Sequence, residues 1–309
     1  MNLIDVAQQF KTDDDCLAYL ESMRWPDGIR CPVCGSDHIS RITRKTSSKN
    51  KRTRIYQCLE PTCKQQFSAT SGTIFNDSHL PLTKWFMALA LIVDAKKSVS
   101  ANQLMHHLGI GSYRTAWYLA HRIRKAMEKS GSANLSGIVE VDETYIGGRH
   151  KGLLGRSTEK KHVVIGLRQR GGPVKMVHVI DAKSETIRRV VEEHVSDEVE
   201  VILTDDFRSY PLALKKYENR HFTINHSAGY YVTGPTGQVH TNTIESAFSL
   251  LKRAIIGSFH AVSIKHLHRY LSEFETRFNA RKADDRFNPT LRAMLGVEPM
   301  PYAELTQGE

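Results

Sequence analysis

Long apolar runs are absent from this chain. No stretch of about 18 apolar residues occurs, which excludes a membrane-spanning helix. The opening residues, Met1-Asn-Leu-Ile-Asp-Val-Ala-Gln-Gln-Phe10, lack the charged start, apolar centre and small-residue cleavage site of a secretory leader. The expectation is therefore a cytoplasmic protein. No internal repeat and no long low-complexity tract stands out. Acidic residues are in deficit: 33 Asp and Glu face 43 Lys and Arg, a formal net charge of +10. That balance is common in proteins that bind polyanions; a merely basic surface is the alternative. A chain of 309 residues has material for two or three domains, each with a real core.

Cysteine is also scarce, but its placement is informative. Cys31-Pro-Val-Cys34-Gly is a CxxC in a tight turn, and Cys58-Leu-Glu-Pro-Thr-Cys63 supplies a second pair. Two thiol pairs at this separation suit a tetrahedral structural zinc ion, each pair forming one knuckle. A reducing cytoplasm favours zinc over disulfides. Four ligands close the coordination sphere, so this Zn2+ is expected to support folding and not catalysis. Cys16 lies outside the pattern and reads as a buried helix residue. Between the pairs, Arg41 to Arg54 is basic and free of acids. Arg44, Lys45, Lys49, Lys51, Arg52 and Arg54 form either a solvated loop or a hairpin finger that contacts phosphates.

Residues 81 to 130 read as helices. One is Lys84 to Asp94, with Thr83 as a candidate N-cap. A second, Ser98 to Gly109, is stopped by glycine, and a third runs from Ser112 to Met127. A helix, a short Gly-containing turn and a helix bearing Tyr113, Arg114, Arg122 and Arg124 suggest helix-turn-helix DNA binding. A compact helical bundle shares this pattern.

Three acidic motifs follow. Gly137-Ile-Val-Glu-Val-Asp142 reads as a buried strand delivering Asp142 to its end, with a hairpin turn at Gly147-Gly148 close behind. Val199-Glu-Val-Ile-Leu-Thr-Asp205 is a second short strand ending in an acid. His240-Thr-Asn-Thr-Ile-Glu-Ser-Ala-Phe-Ser-Leu-Leu-Lys252-Arg253 reads as an amphipathic helix. Ile244, Phe248, Leu251 and Ile255 make its apolar stripe, while Asn242, Glu245 and Lys252 share the opposite side. Carboxylates drawn together repel unless hard cations bind between them. Two divalent ions so held suit in-line phosphoryl displacement. Glu143 and Asp206 adjoin the favoured acids, but a strand turns neighbours to opposite faces, so each pair offers one ligand.

Between these motifs, Lys161–Arg168 and Val174–Ile180 read as strands joined at Gly171-Gly172-Pro173, and a helix starts at Ser184. Three antiparallel strands, a helix and a parallel strand make one α/β unit. Asp181 is read as a cap or turn residue. A last helix from Ser263 to Arg281 carries His266, Arg269, Arg277 and Arg281, for contact with DNA or for a buried network with Glu273. Ala283 to Glu309, with three prolines, reads as a loosely packed tail.

These motifs together resemble a DDE transposase of a bacterial insertion sequence. The likeness is to the ISXO-like group, in which a zinc ribbon precedes an RNase H-like catalytic domain with VDE-Y-GG, TD-xxxx-Y and HTNTIE motifs. It runs from Tyr19 to Arg281. The resemblance implies an α/β, RNase H-like (integrase-type) core at 133–282. Ahead of it would stand a helix and four-cysteine zinc ribbon at 1–78 and a helix-turn-helix-like region at 79–132, with a C-terminal tail at 283–309. It implies Asp142, Asp205 and Glu245 as a triad for two Mg2+ ions, with Mn2+ as a substitute. It also implies Lys252 as the basic residue of the site, Arg253 beside it toward DNA, and Asn242 as an assistant. Phe248 stands where the pattern has an aromatic, often Trp. The implied partners are the element's terminal inverted repeats, target DNA, and a second protomer in a dimer or larger assembly, with the protein on the nucleoid when bound. Two rival readings share these features: a non-catalytic zinc-ribbon regulator, and a nuclease of the same fold that cuts without joining.

Overall fold

The computed structural model describes residues 1–43, 53–128, 134–147, 161–224 and 240–307. The chain forms two compact units, one of Met1–Ala95, Val99–Lys129 and Ala283–Glu309, the other of Lys96–Ser98 and Ser130–Lys282.

In the first unit, helices α1 (Leu3–Gln9) and α2 (Asp13–Arg24) both open on capping boxes, Asn2 with Asp5 and Thr12 with Asp15. Cys16 is buried on α2, as its sequence context suggested. Strands β1 (Ile39–Ile42), β2 (Ile55–Cys58) and β3 (Gln66–Phe67) form an antiparallel ribbon. Trp25, Tyr56 and Phe67 pack as an aromatic cluster behind it. Helix α3 (Leu82–Asp94) buries Trp85, Phe86, Leu89 and Ile92. It starts two residues earlier than the Lys84 expected, because Pro81 holds φ at −53° and serves as N-cap. Thr83 thus lies inside the first turn, where Asp13 accepts its N–H at 3.2 Å. Helices α4 (Ala101–His107) and α5 (Tyr113–Glu128) follow, joined through Gly109, whose φ of +56° favours glycine.

The second unit is built on a five-stranded sheet. Strands β4 (Ile138–Ile146), β5 (His162–Gln169) and β6 (Val174–Val179) are antiparallel neighbours. Helix α6 (Ser184–His194) then crosses to β7 (Val201–Asp205), which pairs parallel with β4. After α7 (Tyr210–Ala213) comes β8 (His221–Ile224), parallel to β7. The strand order is β6-β5-β4-β7-β8, the RNase H-like arrangement. β8 is too short and too polar to stand out in the sequence. One sheet face, with Val139, Val141 and Ile165, packs on Ile187, Val190 and Val191 of α6. The other face, with Val164 and Met176, is covered by α8 (Asn242–Ala254) and α9 (Leu267–Asn279) through Ile244, Phe248, Leu271 and Phe274. The polar side of α9 resolves the alternatives left by the sequence. Glu273 is buried, receives Ser98 Oγ and pairs with Arg277 Nε at 3.2 Å, so Arg277 belongs to a buried network.

The chain then returns to the first unit. Helix α10 (Phe287–Leu295) buries Phe287, Leu291 and Met294 in the same core as α3 and α5, and α11 (Tyr302–Thr306) adds Leu305. This corrects the loosely packed tail. Its prolines are compatible with order, since Pro289 lies in the first turn of α10 and Pro301 caps α11, where no intrahelical N–H is needed. Each buried Phe or Leu contributes about 1.5–3 kcal/mol of transfer free energy, enough to hold the segment.

Candidate active site and metal centre

The four cysteines converge. Cys31 Sγ and Cys63 Sγ are 3.7 Å apart, and Cys34 Sγ and Cys58 Sγ 3.6 Å. All four sulfurs lie within 4.8 Å of one another. A tetrahedral zinc with Zn–S near 2.3 Å requires S–S edges of about 3.8 Å, so the donor set and its dimensions fit that ion. The knuckles are closed by backbone bonds, Gly35 N to Cys31 O and Cys63 N to Glu60 O. Gly35 takes φ +76° to turn the first. Burial acts to raise the Cys31 thiol, but N–H groups of Cys34 and Val33 outweigh it and hold it at about 7.

Of the basic finger, only the base lies among the described residues. Arg44, Lys45, Lys49, Lys51 and Arg52 lie outside the described residues. Arg54 corrects its expected role. Its Nη1 donates to Glu21 Oε2 at 2.7 Å and its Nε to Asp14 Oδ1 at 3.2 Å, so its charge is spent on α2. Glu21 also accepts from Tyr56 Oη at 2.9 Å.

Arg122 is likewise corrected. It is buried, donates to the carbonyls of Ile74 and Asn76, and lies over the rings of Trp85 and Tyr118 at 4.8 and 5.1 Å. A helix turns Arg122 two turns and about 80° from Arg114, far enough to face the core. Arg114 is exposed near the start of α5, beside exposed Tyr113 and 5.7 Å from the Tyr302 ring.

In the second unit, β4 continues past Asp142 to Ile146, so this carboxylate stands in mid-strand and not at a strand end. The parallel register pairs Glu140 with Leu203, which sets Asp142 level with Asp205, strands being about 4.8 Å apart. Pleat alternation turns both to the α8 face, since Val139, Val141 and Ile202 pack on the α6 side. Glu143 faces the α6 side, where Tyr210 Oη donates to it at 2.7 Å, and Asp206 is exposed. Asp142 and Glu143 thus turn to opposite faces of β4, while Asp206 follows the last residue of β7.

Glu245 is exposed on the first turns of α8 and receives Thr241 Oγ1 at 3.0 Å. Asn242 opens that helix and Lys252 and Arg253 lie toward its end, all three exposed. Asp142 Oδ1 accepts Glu143 N at 2.8 Å, and Asp205 Oδ1 accepts Phe207 N at 3.0 Å. Burial, then the charges of Glu143, Asp205 and Glu245, push Asp142 up to about 8. Carboxylates that oppose one another's ionisation are the donor set a hard divalent cation neutralises. Among the described residues only the cysteines form a set of three or more ligand atoms all within 4.8 Å; the acidic trio is more open.

Two residues of this region were missed in the sequence. Glu140 is fully buried, and its Oε2 accepts the N–H groups of Thr243 and Ile244 at 2.9 Å each. Arg170 Nε donates to its other oxygen at 2.7 Å. An acid amid an apolar run, two positions before Asp142, was the available signal. Gly166, opposite Asp142 on β5, is the second: it lies directly beneath Phe248.

A family profile described as the ISXO2-like transposase domain matches residues 134–279, and one described as a transposase zinc-ribbon domain matches 11–66. A protein from Halobacterium salinarum, described as an uncharacterized protein in transposable element ISH50, is 30% identical over 278 residues, covering 84% of this chain and 88% of that protein. A chain in the crystal structure of the Mos1 strand transfer complex is 12% identical, covers 68% of this chain and 75% of its own, and has a TM-score of 0.27. By the two profiles and the Halobacterium relative, the chain belongs to the ISXO2-like transposases.

Proposed function

We propose that this transposase cuts DNA at the ends of its element and joins the freed ends to target DNA, in one acidic site. The observation that carries this reading is the placement of Asp142 and Asp205 level with each other on adjacent parallel strands, on the face covered by the helix that bears Glu245. These three residues would hold two Mg2+ ions, or Mn2+ in their place. Ions bound there supply charge stabilisation for the attacking and leaving oxygens of a phosphodiester.

The reaction has two displacements. Water attacks the phosphodiester at the element's end, and the broken P–O bond leaves a free 3′-OH. That hydroxyl then attacks a phosphodiester of the target, so one bond is exchanged for another and no covalent protein–DNA species is needed. Burial and neighbouring charge raise the proton affinity of Asp142, and divalent cations held there would favour its ionised form. Lys252 and Arg253, exposed toward the end of α8, offer positive charge to DNA phosphates, and Asn242 adds a polar group beside Glu245. The ribbon, with a structural Zn2+ on Cys31, Cys34, Cys58 and Cys63, and the α4–α5 pair with Arg114 would recognise the terminal repeats. Joining two ends calls for at least two protomers on DNA.

The test is a strand-transfer assay with Mg2+ or Mn2+, a labelled element end and supercoiled target. Wild type should give joined products, and Asp142→Asn and Glu245→Gln should give none while retaining end binding. Nicking without joining would favour a nuclease. Binding of the correct end with neither reaction would favour a regulator.

A further inference from the structure

We propose that Glu140 is a positioning residue for the acidic site, fixing the start of α8 against β4 and so setting where Glu245 stands relative to Asp142 and Asp205. The inference rests on the reading of those three residues as the site.

A helix leaves its first N–H groups without intrahelical partners, and a side chain at the N-cap ordinarily satisfies one of them. Here the N-cap is Thr241, whose side chain makes no capping bond. Its hydroxyl donates instead to Glu245 Oε1 at 3.0 Å. The cap comes from β4: Glu140 Oε2 accepts from Thr243 N and Ile244 N, partners 103 and 104 positions away. The negative charge of that carboxylate also sits at the positive end of the helix dipole.

The other carboxylate oxygen is held as firmly. Oε1 accepts Arg170 Nε at 2.7 Å and lies 3.3 Å from His240 Nδ1. Arg170 also donates to the carbonyl of His240 at 2.8 Å, and Arg168 to the carbonyl of Thr243 at 2.9 Å. The first turn of α8 is therefore bound to the sheet through both its N–H groups and its carbonyls.

This anchor is coupled to the acids by covalent geometry. Glu140 and Asp142 occupy alternate positions of one strand and share its face, about 7 Å apart along β4. Ile244, which donates to Glu140, is the residue before Glu245. The strand that carries the first carboxylate thus grips the helix that carries the third. A role in stability alone would leave the metal dependence of the site unmoved when this anchor is weakened.

The test uses zinc-loaded full-length protein, wild type and Glu140→Gln, which keeps the volume but replaces one acceptor oxygen with an amide donor. Three quantities are measured: hydrogen exchange at the Thr243 and Ile244 amides, Mn2+ binding by electron paramagnetic resonance, and the Mg2+ dependence of end cleavage. In wild type both amides should be protected, unlike ordinary first-turn donors. In Glu140→Gln both should exchange faster. Mn2+ affinity should fall, and the Mg2+ needed for half-maximal cleavage should rise, by about 10- to 100-fold. Binding of the DNA end should change less than twofold. A folded variant with unchanged exchange and unchanged metal dependence would overturn the proposal. Should Glu140→Gln not fold, Arg170→Lys weakens the same carboxylate's hold and should shift metal dependence in the same direction; rapid exchange of both amides in wild type would overturn the proposal without any variant. Wild type that neither binds Mn2+ nor cuts would sink the acidic-site reading, while the exchange measurement would still decide whether Glu140 holds α8.

Discussion

The ring of Phe248 occupies the space that a side chain on Gly166 would fill: a Cβ built there would lie 2.6 Å from Phe248 Cε1 and Cζ and 2.8 Å from Ile244 Cδ1. Gly166 pairs with Asp142 across the sheet, so the missing side chain lets α8 approach the strand that carries that acid. Close approach is what brings Glu245 toward Asp142 and Asp205.

Gly166→Ala should therefore overpack this contact and destabilise the second unit by about 1–3 kcal/mol. Phe248→Leu in the same background should recover part of the loss. Denaturant melts of the two single variants and the double variant measure the coupling. Additive effects would show that α8 does not rest on this glycine.

Arg114 and Arg122 should behave in opposite ways. Arg122→Met removes two hydrogen bonds to buried carbonyls and should cost on the order of 2–4 kcal/mol, with the salt dependence of DNA binding unchanged in protein that remains folded. Arg114→Ala should leave the melting temperature nearly unaltered and, if α5 contacts phosphate, lower the slope of log affinity against log salt by about 1. Thermal melts and salt titrations of end binding separate the two effects.

Removal of zinc should unfold the ribbon. Cys34→Ser, or prolonged chelation, should release the metal and expose Trp25, which packs against Tyr56 and Phe67 with ring centroids 6.4 and 5.8 Å away. A red shift of tryptophan emission with loss of bound zinc is expected. Full retention of the native emission after zinc loss would show that the ribbon folds without it.

Stability should also carry a pH signature from Glu275 on α9. It is 2% exposed, receives Met176 N at 2.6 Å and pairs with Lys175 at 3.2 Å. Burial pushes its carboxyl from 4.5 up to about 7, with Lys175 pulling the other way. The folded state holds this proton more tightly than the unfolded state. Its contribution is thus fully present below about pH 4.5 and is lost as pH rises through about 7. Glu275→Gln should remove that share of the slope, on the order of 3 kcal/mol over the window. An unchanged slope in urea melts between those pH values would refute the assignment.

Features whose causes are local were readable in the residues themselves. The two cysteine pairs close knuckles within a few residues of backbone. The alternation within β4 and within β7 decides which of their strand neighbours Asp142 and Asp205 share a face with; that both carboxylates lie on one sheet face follows from the parallel pairing of the two strands. The apolar stripe of α8 likewise decides that Glu245 and Lys252 point away from the core.

The fate of individual charges was decided only by the tertiary structure. Arg54 and Arg122 have the composition of phosphate ligands, yet one is neutralised by Asp14 and Glu21 and the other is enclosed by Trp85 and two carbonyls. Phe287, Leu291 and Met294 have helical spacing, but only a core in a distant part of the chain turns that spacing into an ordered helix. Glu140 is the clearest case. One acid in an apolar strand carries no local sign of its partners, because the amides it caps lie 103 and 104 positions downstream. Sequence by itself determined which residues face which side of each element. Which element covers that side, and so whether a charge meets water, an opposite charge or a helix end, depends on contacts between distant segments that exist only in the folded chain.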